Sequence, residues 1–467
     1  MQPETMPNAV SRPAKLISFL IFILLLSTLS FFTANAAIIM SDSIYQGVIV
    51  GDTDVGGLSE EAAKQKLLTV FRTRTAEPIR LLYGEKFWTV KAEDIDLHID
   101  AEQLASKAYQ VGRKGNIVAQ LQERYLTINQ GYIVPLAVSF NPDKINSVLM
   151  DISATLDTNP RSATLLVNQA DITLIPDEIG RKLNIVKSLA EITTAINLHL
   201  SFSVKLTVDE IMPPVRAADL QDINHILASY TTQFDLSDTN RSENILIAAQ
   251  KVNNTLVASG QSFSFNTKVG LRLPEYGYKK APAYIDGVLV PDWGGGVCQV
   301  SSTIYNVALL ADMAIEERTS HLRPPGYVPL GQDATVADNA LDFRFRNTTP
   351  SNIYIKAEVL GNQVEIIILG KRMQGIPEIQ ILASDTKVIE PKTIVKQDPT
   401  LELGKQVVEE EGQKGFLVTT QRIKRINGKE VSRELLGVDD FRPVDTILRV
   451  GTKAPANISK EKNVMVK

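Results

Sequence analysis

Cys298 is the only cysteine of the chain, and its neighbours are those a nucleophile needs. It follows Gly294-Gly295-Gly296-Val297 and opens the run Gln299-Val300-Ser301-Ser302-Thr303-Ile304-Tyr305-Asn306. A glycine turn ends there and a helix begins. Val300, Ile304, Val307 and Ala311 draw one apolar stripe, while Cys298, Ser302, Tyr305 and Asn306 share another face. A thiol at a helix N-terminus meets unsatisfied amides and the positive end of the helix dipole, which lower its pKa and enrich the reactive thiolate. Glycine lets backbone approach a substrate closely, so Gly295 and Gly296 are candidates to aim N–H groups at a developing oxyanion. A lone cysteine is more often a small buried hydrophobe. The glycine run, the helix start and the polar face turn the reading toward chemistry.

Acyl transfer by cysteine needs a thiolate, a proton relay and donors for the tetrahedral oxyanion. His321 is the leading relay, because an imidazole titrates near neutrality. His98, His199 and His225 lie in helix-like or strand-like patterns without a reactive neighbour in sequence. Asp333 either orients His321 as the third member of a triad or caps the turn at Gly331-Gln332. Arg318 and Arg241 either hold a substrate carboxylate in a two-pronged contact or serve structural ion pairs. Asn306 and Tyr305 either donate into and line the pocket, or cap and pack. One cysteine and scattered histidines lack the spacing of a zinc site. The glycine run lacks the lysine and Ser/Thr of a P-loop. Neither a metal nor a cofactor is expected.

A chain of 467 residues has room for roughly three or four domains to position these groups. Lysine plus arginine (49) nearly balance aspartate plus glutamate (53), so no basic field exists to hold nucleic acid. A single cysteine makes no intrachain disulfide and is silent about compartment. The N-terminus is informative. Arg12 and Lys15 precede an almost unbroken apolar run from Leu16 to Met40, which as a helix would span roughly 37 Å against a hydrocarbon core of about 30 Å. Ala34-Asn35-Ala36 resembles a signal-peptidase site, but the run continues past it, and its length favours an uncleaved anchor. The basic flank before it, and Asp42, Asp52 and Asp54 after it, put the N-terminus in the cytoplasm and the bulk outside.

The pattern predicts a cytoplasmic tail over 1–15, a transmembrane anchor over 16–40, α+β modules over 41–130 and 131–214, a mixed α/β domain over 215–372, a β-rich module over 377–452 and a mobile tail over 453–467. In the first module Ser59 caps a helix that buries Ala62, Leu67, Leu68 and Phe71, and a second helix runs from Ala101 to Gly112. In the next, Val134–Phe140 is a strand, Pro142–Ile152 and Val186–Leu198 are helices, and Ala163–Leu174 is a hairpin. Pro213-Pro214 marks a boundary. Arg241 and Asn244 fall in a loop before a helix through Ala249. Strands over 341–345, 353–359 and 363–369 close the central domain, and the glycine-punctuated stretch 379–451 is strand-rich.

The run Gly294 to Asn306 occurs together with Arg241-Ser242-Glu243-Asn244-Ile245, Phe263-Ser264-Phe265-Asn266, Glu317-Arg318 with His321, and Gly331-Gln332-Asp333-Ala334-Thr335-Val336. This set resembles the VanW family over about residues 225–370. Upstream, Val50 to Val208 looks like the paired peptidoglycan-binding modules that commonly precede VanW domains. Downstream, strands ending in Arg442-Pro443-Val444 and Val450-Gly451-Thr452 resemble a G-five domain, a surface module associated with cell-wall glycans. The resemblance implies a multidomain α+β cell-envelope protein with peptidoglycan stem peptides and glycan as partners. It also implies a link to glycopeptide resistance and L,D-transpeptidase activity through Cys298. Leu322 departs from the pattern, since a serine more usually follows the histidine. A binding protein that grips stem peptides without turnover, and a hydrolase that trims them, are the competing readings.

Overall fold

A computed structural model of the chain describes residues 17–28, 30, 42–168, 171–198, 203–285, 288–373, 375 and 377–453. Residues 17–28 and 30 are helical, and the rest of the apolar run lies outside the described residues, as do His199 and the tails over 1–15 and 454–467. The helix described there is about 18 Å long, and among the described residues none is long and apolar enough to cross a membrane. The transmembrane helix expected over 16–40 is therefore not present in the described residues.

The chain forms two compact units, Met1–Pro160 with Ile179–Met212, and Arg161–Glu178 with Pro213–Lys467. In the first, Val48–Val50 pairs in parallel with Tyr132–Val134 and antiparallel with Thr53–Asp54. Ser59 caps the helix Glu60–Arg74 by accepting from the Ala62 amide, and the helix buries Ala63, Leu67 and Phe71, so the inward face starts one residue later than the sequence suggests. The run 134–140 breaks into Tyr132–Val134 and Val138–Ser139, because Pro135 between them has no N–H for a ladder. The helix Ile117–Gln130 escaped the sequence reading. It buries Arg124 and Thr127 while Ile117, Val118, Tyr125 and Ile128 face solvent, so its apolar residues draw no inward stripe.

The second unit holds a four-stranded antiparallel sheet in the order His225–Gln233, Gln363–Gly370, Ile353–Leu360, Thr255–Val257. Arg241 and Asn244 lie on the helix Thr239–Val252 and not in a loop, Asp238 capping it by accepting from the Arg241 amide. That helix packs on Ile353–Leu360, and the helix Val297–Leu310 packs on His225–Gln233 and Gln363–Gly370. The hairpin Lys280–Ile285 with Val288–Trp293 delivers the chain to Gly294. Beyond Pro377 two three-stranded sheets follow, with Gly415–Ile426 central in one and Thr446–Lys453 central in the other. The first of these lies against the loops that carry the site.

Candidate active site

Gly294 and Gly296 adopt φ of +77° and +106°, and Gly296 is the N-cap of the cysteine helix. The tight turn also brings side chains close. A Cβ on Gly294 would sit 2.9 Å from the Arg272 stem, one on Gly296 2.9 Å from the Arg241 stem, and one on Gly295 2.5 Å from the Ala281 carbonyl. The glycines therefore admit two arginines over the turn as well as bending it. Asn244 locks the turn in place, donating to the carbonyls of Gly295 (3.0 Å) and Lys279 (2.8 Å) and accepting from the Lys279 amide (2.8 Å). Among the described residues the N–H groups of Gly296 and Cys298 have no acceptor.

The cysteine helix is buried almost all round, and its polar residues hold the neighbouring loops. Ser301 donates to the Ala334 carbonyl at 2.6 Å, Ser302 accepts from the Ala334 amide at 2.9 Å, and Asn306 donates to the Gln332 carbonyl at 2.7 Å. Tyr305 is fully buried against Phe343 and beside Arg318, and burial pushes its phenol up to about 12. Of the four residues expected to share the reactive face, only Cys298 keeps partial exposure. Ser302 and Asn306 instead hold the 332–336 loop, and Tyr305 packs on Phe343 beside Arg318.

That loop carries the relay. Asp333 is completely buried, and its Oδ2 accepts from both the His321 amide and His321 Nδ1, each at 2.6 Å. With Nδ1–H committed to the carboxylate, Nε2 is the ring nitrogen left for the thiol. Arg318 completes the clamp, donating from Nε to the Asp333 carbonyl (2.6 Å), from Nη2 to Asp333 Oδ1 (3.1 Å) and from Nη1 to Asp439 (2.6 Å). Burial opposes ionisation of Asp333, but the hydrogen bond and charge of His321 and the charge of Arg318 hold its carboxyl below the usual range. Burial likewise opposes protonation of His321, yet the Asp333 hydrogen bond, with the hydrogen bond and charge of Cys298, raises it to about 9. For Cys298 burial again works against charge. The hydrogen bond and charge of His321, a Val336 backbone hydrogen bond and the Arg272 charge overcome it and lower the thiol pKa. When protonated, the thiol donates to the Val336 carbonyl 3.5 Å away. These shifts describe a thiolate–imidazolium pair.

Arg241 is built differently. Its Nη2 donates to Gln299 Oε1 at 2.7 Å, and Gln299 is itself fixed by donating to Thr232 (3.0 Å) and the Gln233 carbonyl (2.9 Å). Arg241 makes no salt bridge among the described residues. Burial lowers its pKa, while Tyr327, Asp238 and Cys298 counter that effect. Tyr327 escaped the sequence reading. Its phenol is raised well above its ordinary value, first by burial and then by the Cys298 charge, and it hydrogen-bonds Ser302. Arg272 and Gln299 were also missed, and they carry no catalytic signature in sequence because each works only through the folded turn. Among the described residues no group of three or more His, Cys, Asp or Glu could hold a metal ion.

Comparison with known proteins places these features in three matched segments. Residues 240–369 match the family model described as "VanW like protein", residues 88–199 the one described as "Putative peptidoglycan binding domain", and residues 383–453 the G5 domain. The expected resemblance is thus met in all three regions. The chain is 40% identical over 157 residues to the uncharacterized protein YoaR of Bacillus subtilis, covering 32% of this chain and 52% of that protein. It is 30% identical over 129 residues to the vancomycin B-type resistance protein VanW of Enterococcus faecalis, covering 26% of this chain and 47% of that protein. The chain therefore spans about half the length of the curated relatives it matches. The solved G5 domain of an IgA1 protease is 31% identical over 16% of this chain and 93% of its own, with a TM-score of 0.14.

Proposed function

We propose that this VanW-like protein, which carries peptidoglycan-binding and G5 segments, is a cysteine acyltransferase that rebuilds peptidoglycan stem peptides. We place it at the outer face of the cell membrane, held by the apolar N-terminal run. The observation that carries the reading is the double grip of buried Asp333 on the His321 amide and Nδ1, which leaves Nε2 as the ring nitrogen free to serve the neighbouring Cys298. With the pair already ionised, no base is needed to generate the nucleophile. The Cys298 thiolate adds to the amide carbonyl at the third residue of a donor stem. The oxyanion forms beside the free N–H groups of Gly296 and Cys298. Collapse breaks the C–N bond, the His321 imidazolium gives its proton to the departing D-alanine amine, and a thioester remains. The side-chain amine of an acceptor diaminopimelate then attacks the thioester, forming the cross-link amide and expelling the thiolate, while His321 takes the amine proton. Arg241, a cation beside the thiol that makes no salt bridge among the described residues, supplies the contact for a stem-peptide carboxylate.

The test is incubation of the full-length protein in detergent with purified disaccharide tetrapeptide, read by mass spectrometry. Cross-linked dimers with release of D-alanine, and an acyl-enzyme trapped on Cys298, are the expected products. Trimmed stems without dimers would make the protein a hydrolase. Bound but unmodified muropeptide, with no acyl-enzyme, would leave a binding protein and end the acyltransferase reading.

A further inference from the structure

We infer that the C-terminal β module is a working part of the thiol site: Asp439, on its strand Lys429–Phe441, is a positioning residue that acts on Cys298 through Arg318, Asp333 and His321. The inference rests on the thiolate–imidazolium reading of the site and not on any substrate.

Four contacts tie the module to the site and its helix. Asp439 is buried, its Oδ1 accepts from Arg318 Nη1 at 2.6 Å, and its Oδ2 is buried with no hydrogen-bond partner. Burying a carboxylate is unfavourable unless a partner offsets it, and the ion-pair partner here is Arg318. The Arg442 amide donates to the Leu322 carbonyl at 2.9 Å, one residue beyond His321. The loop before Asp333 presses on the same sheet, since a Cβ on Gly331 would overlap the Thr420 hydroxyl. At the far end of the cysteine helix, Arg422 of the module donates to the Met313 carbonyl at 2.8 Å and the Leu309 carbonyl at 3.5 Å. A cation there complements the helix terminus.

The direction of the effect follows from charge. Arg318 is one cation shared by two buried acids, Asp333 and Asp439. Neutralising Asp439 leaves the whole guanidinium charge to Asp333, which then holds the imidazolium less strongly. The thiolate in turn loses part of its partner. The other charged and titratable groups around the pair are Arg241, Arg272 and Tyr327 on the glycine side and Tyr305 behind Arg318. Burial is the largest effect on the Cys298 thiol and opposes its charge, and among the contributions that lower its pKa His321 leads, ahead of Val336 and Arg272, so Asp439 reaches it through the imidazole.

The experiment follows alkylation of Cys298, the single thiol of the chain, by iodoacetamide across pH in the full-length protein. Asp439→Asn keeps the side-chain shape. It should leave the melting temperature within a few degrees, raise the alkylation midpoint by about one pH unit and slow alkylation below that midpoint about tenfold. In an Asp333→Asn background the same change should add nothing. A wild-type midpoint below that of a free thiol, unmoved by Asp439→Asn, overturns the inference and leaves the site reading intact. A wild-type midpoint at the free-thiol value takes down both. Should Asp439→Asn fail to fold, Asp439→Glu moves the charge by one methylene, and an unshifted midpoint there overturns the inference equally.

Discussion

Cys298 is flanked by two arginine-centred regions that look alike in sequence and differ in what they have left to offer. On the His321 side, Arg318 spends its donors on Asp333 and Asp439. On the glycine side, Arg241 donates to one neutral amide and makes no salt bridge among the described residues, the charges of Asp238 and Asp235 acting on it only from a distance. A cation whose charge is already matched can only position its neighbours, whereas a partly buried cation without a salt bridge favours an incoming anion. The lesson is that an arginine near a nucleophile is classified by its partners and not by its distance.

The sharpest way to break this picture is to remove the atom both sides serve. Cys298→Ser should abolish acyl-enzyme formation and reduce cross-linking by at least about 10³-fold, read by intact mass and muropeptide analysis. Unchanged cross-linking would make both flanks structural. Next in size is Asp333→Asn, which keeps the shape and forfeits the tautomer lock. Turnover should fall about 10³- to 10⁴-fold at neutral pH while bound muropeptide is retained. Equal losses of binding and turnover would count against a relay.

The arginines themselves then separate. Arg241→Gln should raise KM for stem peptides about 10- to 100-fold with kcat nearly kept, because a ground-state carboxylate contact is lost. Arg318→Lys should do the reverse, lowering kcat with KM little changed, since one ammonium cannot span two acids. Identical kinetic signatures in the two variants would erase the distinction drawn above.

How much of this was legible in sequence varies by region. The helix start at Gly296–Val297 and the cysteine at its head were readable, because positive-φ glycine and apolar spacing leave local marks. The proximity of Asp333 to His321 was visible only as one of two alternatives, since a turn cap and a triad acid share the same residue type. The roles of Tyr305 and Asn306 were not separable from sequence. A polar face that binds loops looks the same as one that lines a pocket until the loops are in place. The helix Ile117–Gln130 was invisible for the opposite reason, its apolar residues being turned outward and Arg124 inward over the Tyr45 ring at 4.6 Å. Asp439 carried no signal, lying 121 positions from its partner.

The smallest expected effect distinguishes the roles of thiolate and imidazolium by pH. The Cys298 pKa is lowered from 9.0, and that of His321 is raised from 6.5 to about 9, so the ion pair spans the interval between the lowered thiol value and about 9. Alkylation needs only the thiolate, so it should rise as pH climbs through the lowered thiol pKa and then stay level. Turnover also needs the imidazolium proton for the leaving amine, so it should rise on the same limb but decline above about 9, roughly tenfold per pH unit. Stability follows its own rule. The raised imidazole contributes fully below 6.5 and loses that contribution as pH rises through about 9. The depressed thiol contributes fully above 9.0 and loses that contribution as pH falls through its folded pKa. At any pH below about 9 that lies above both 6.5 and the lowered thiol pKa, the folded pair binds one proton on His321 and the unfolded chain one on Cys298, so the two slopes cancel and melting should be flat there. A turnover decline that tracks a fall in melting temperature within that interval would assign the pH dependence to unfolding and remove the imidazolium from the mechanism.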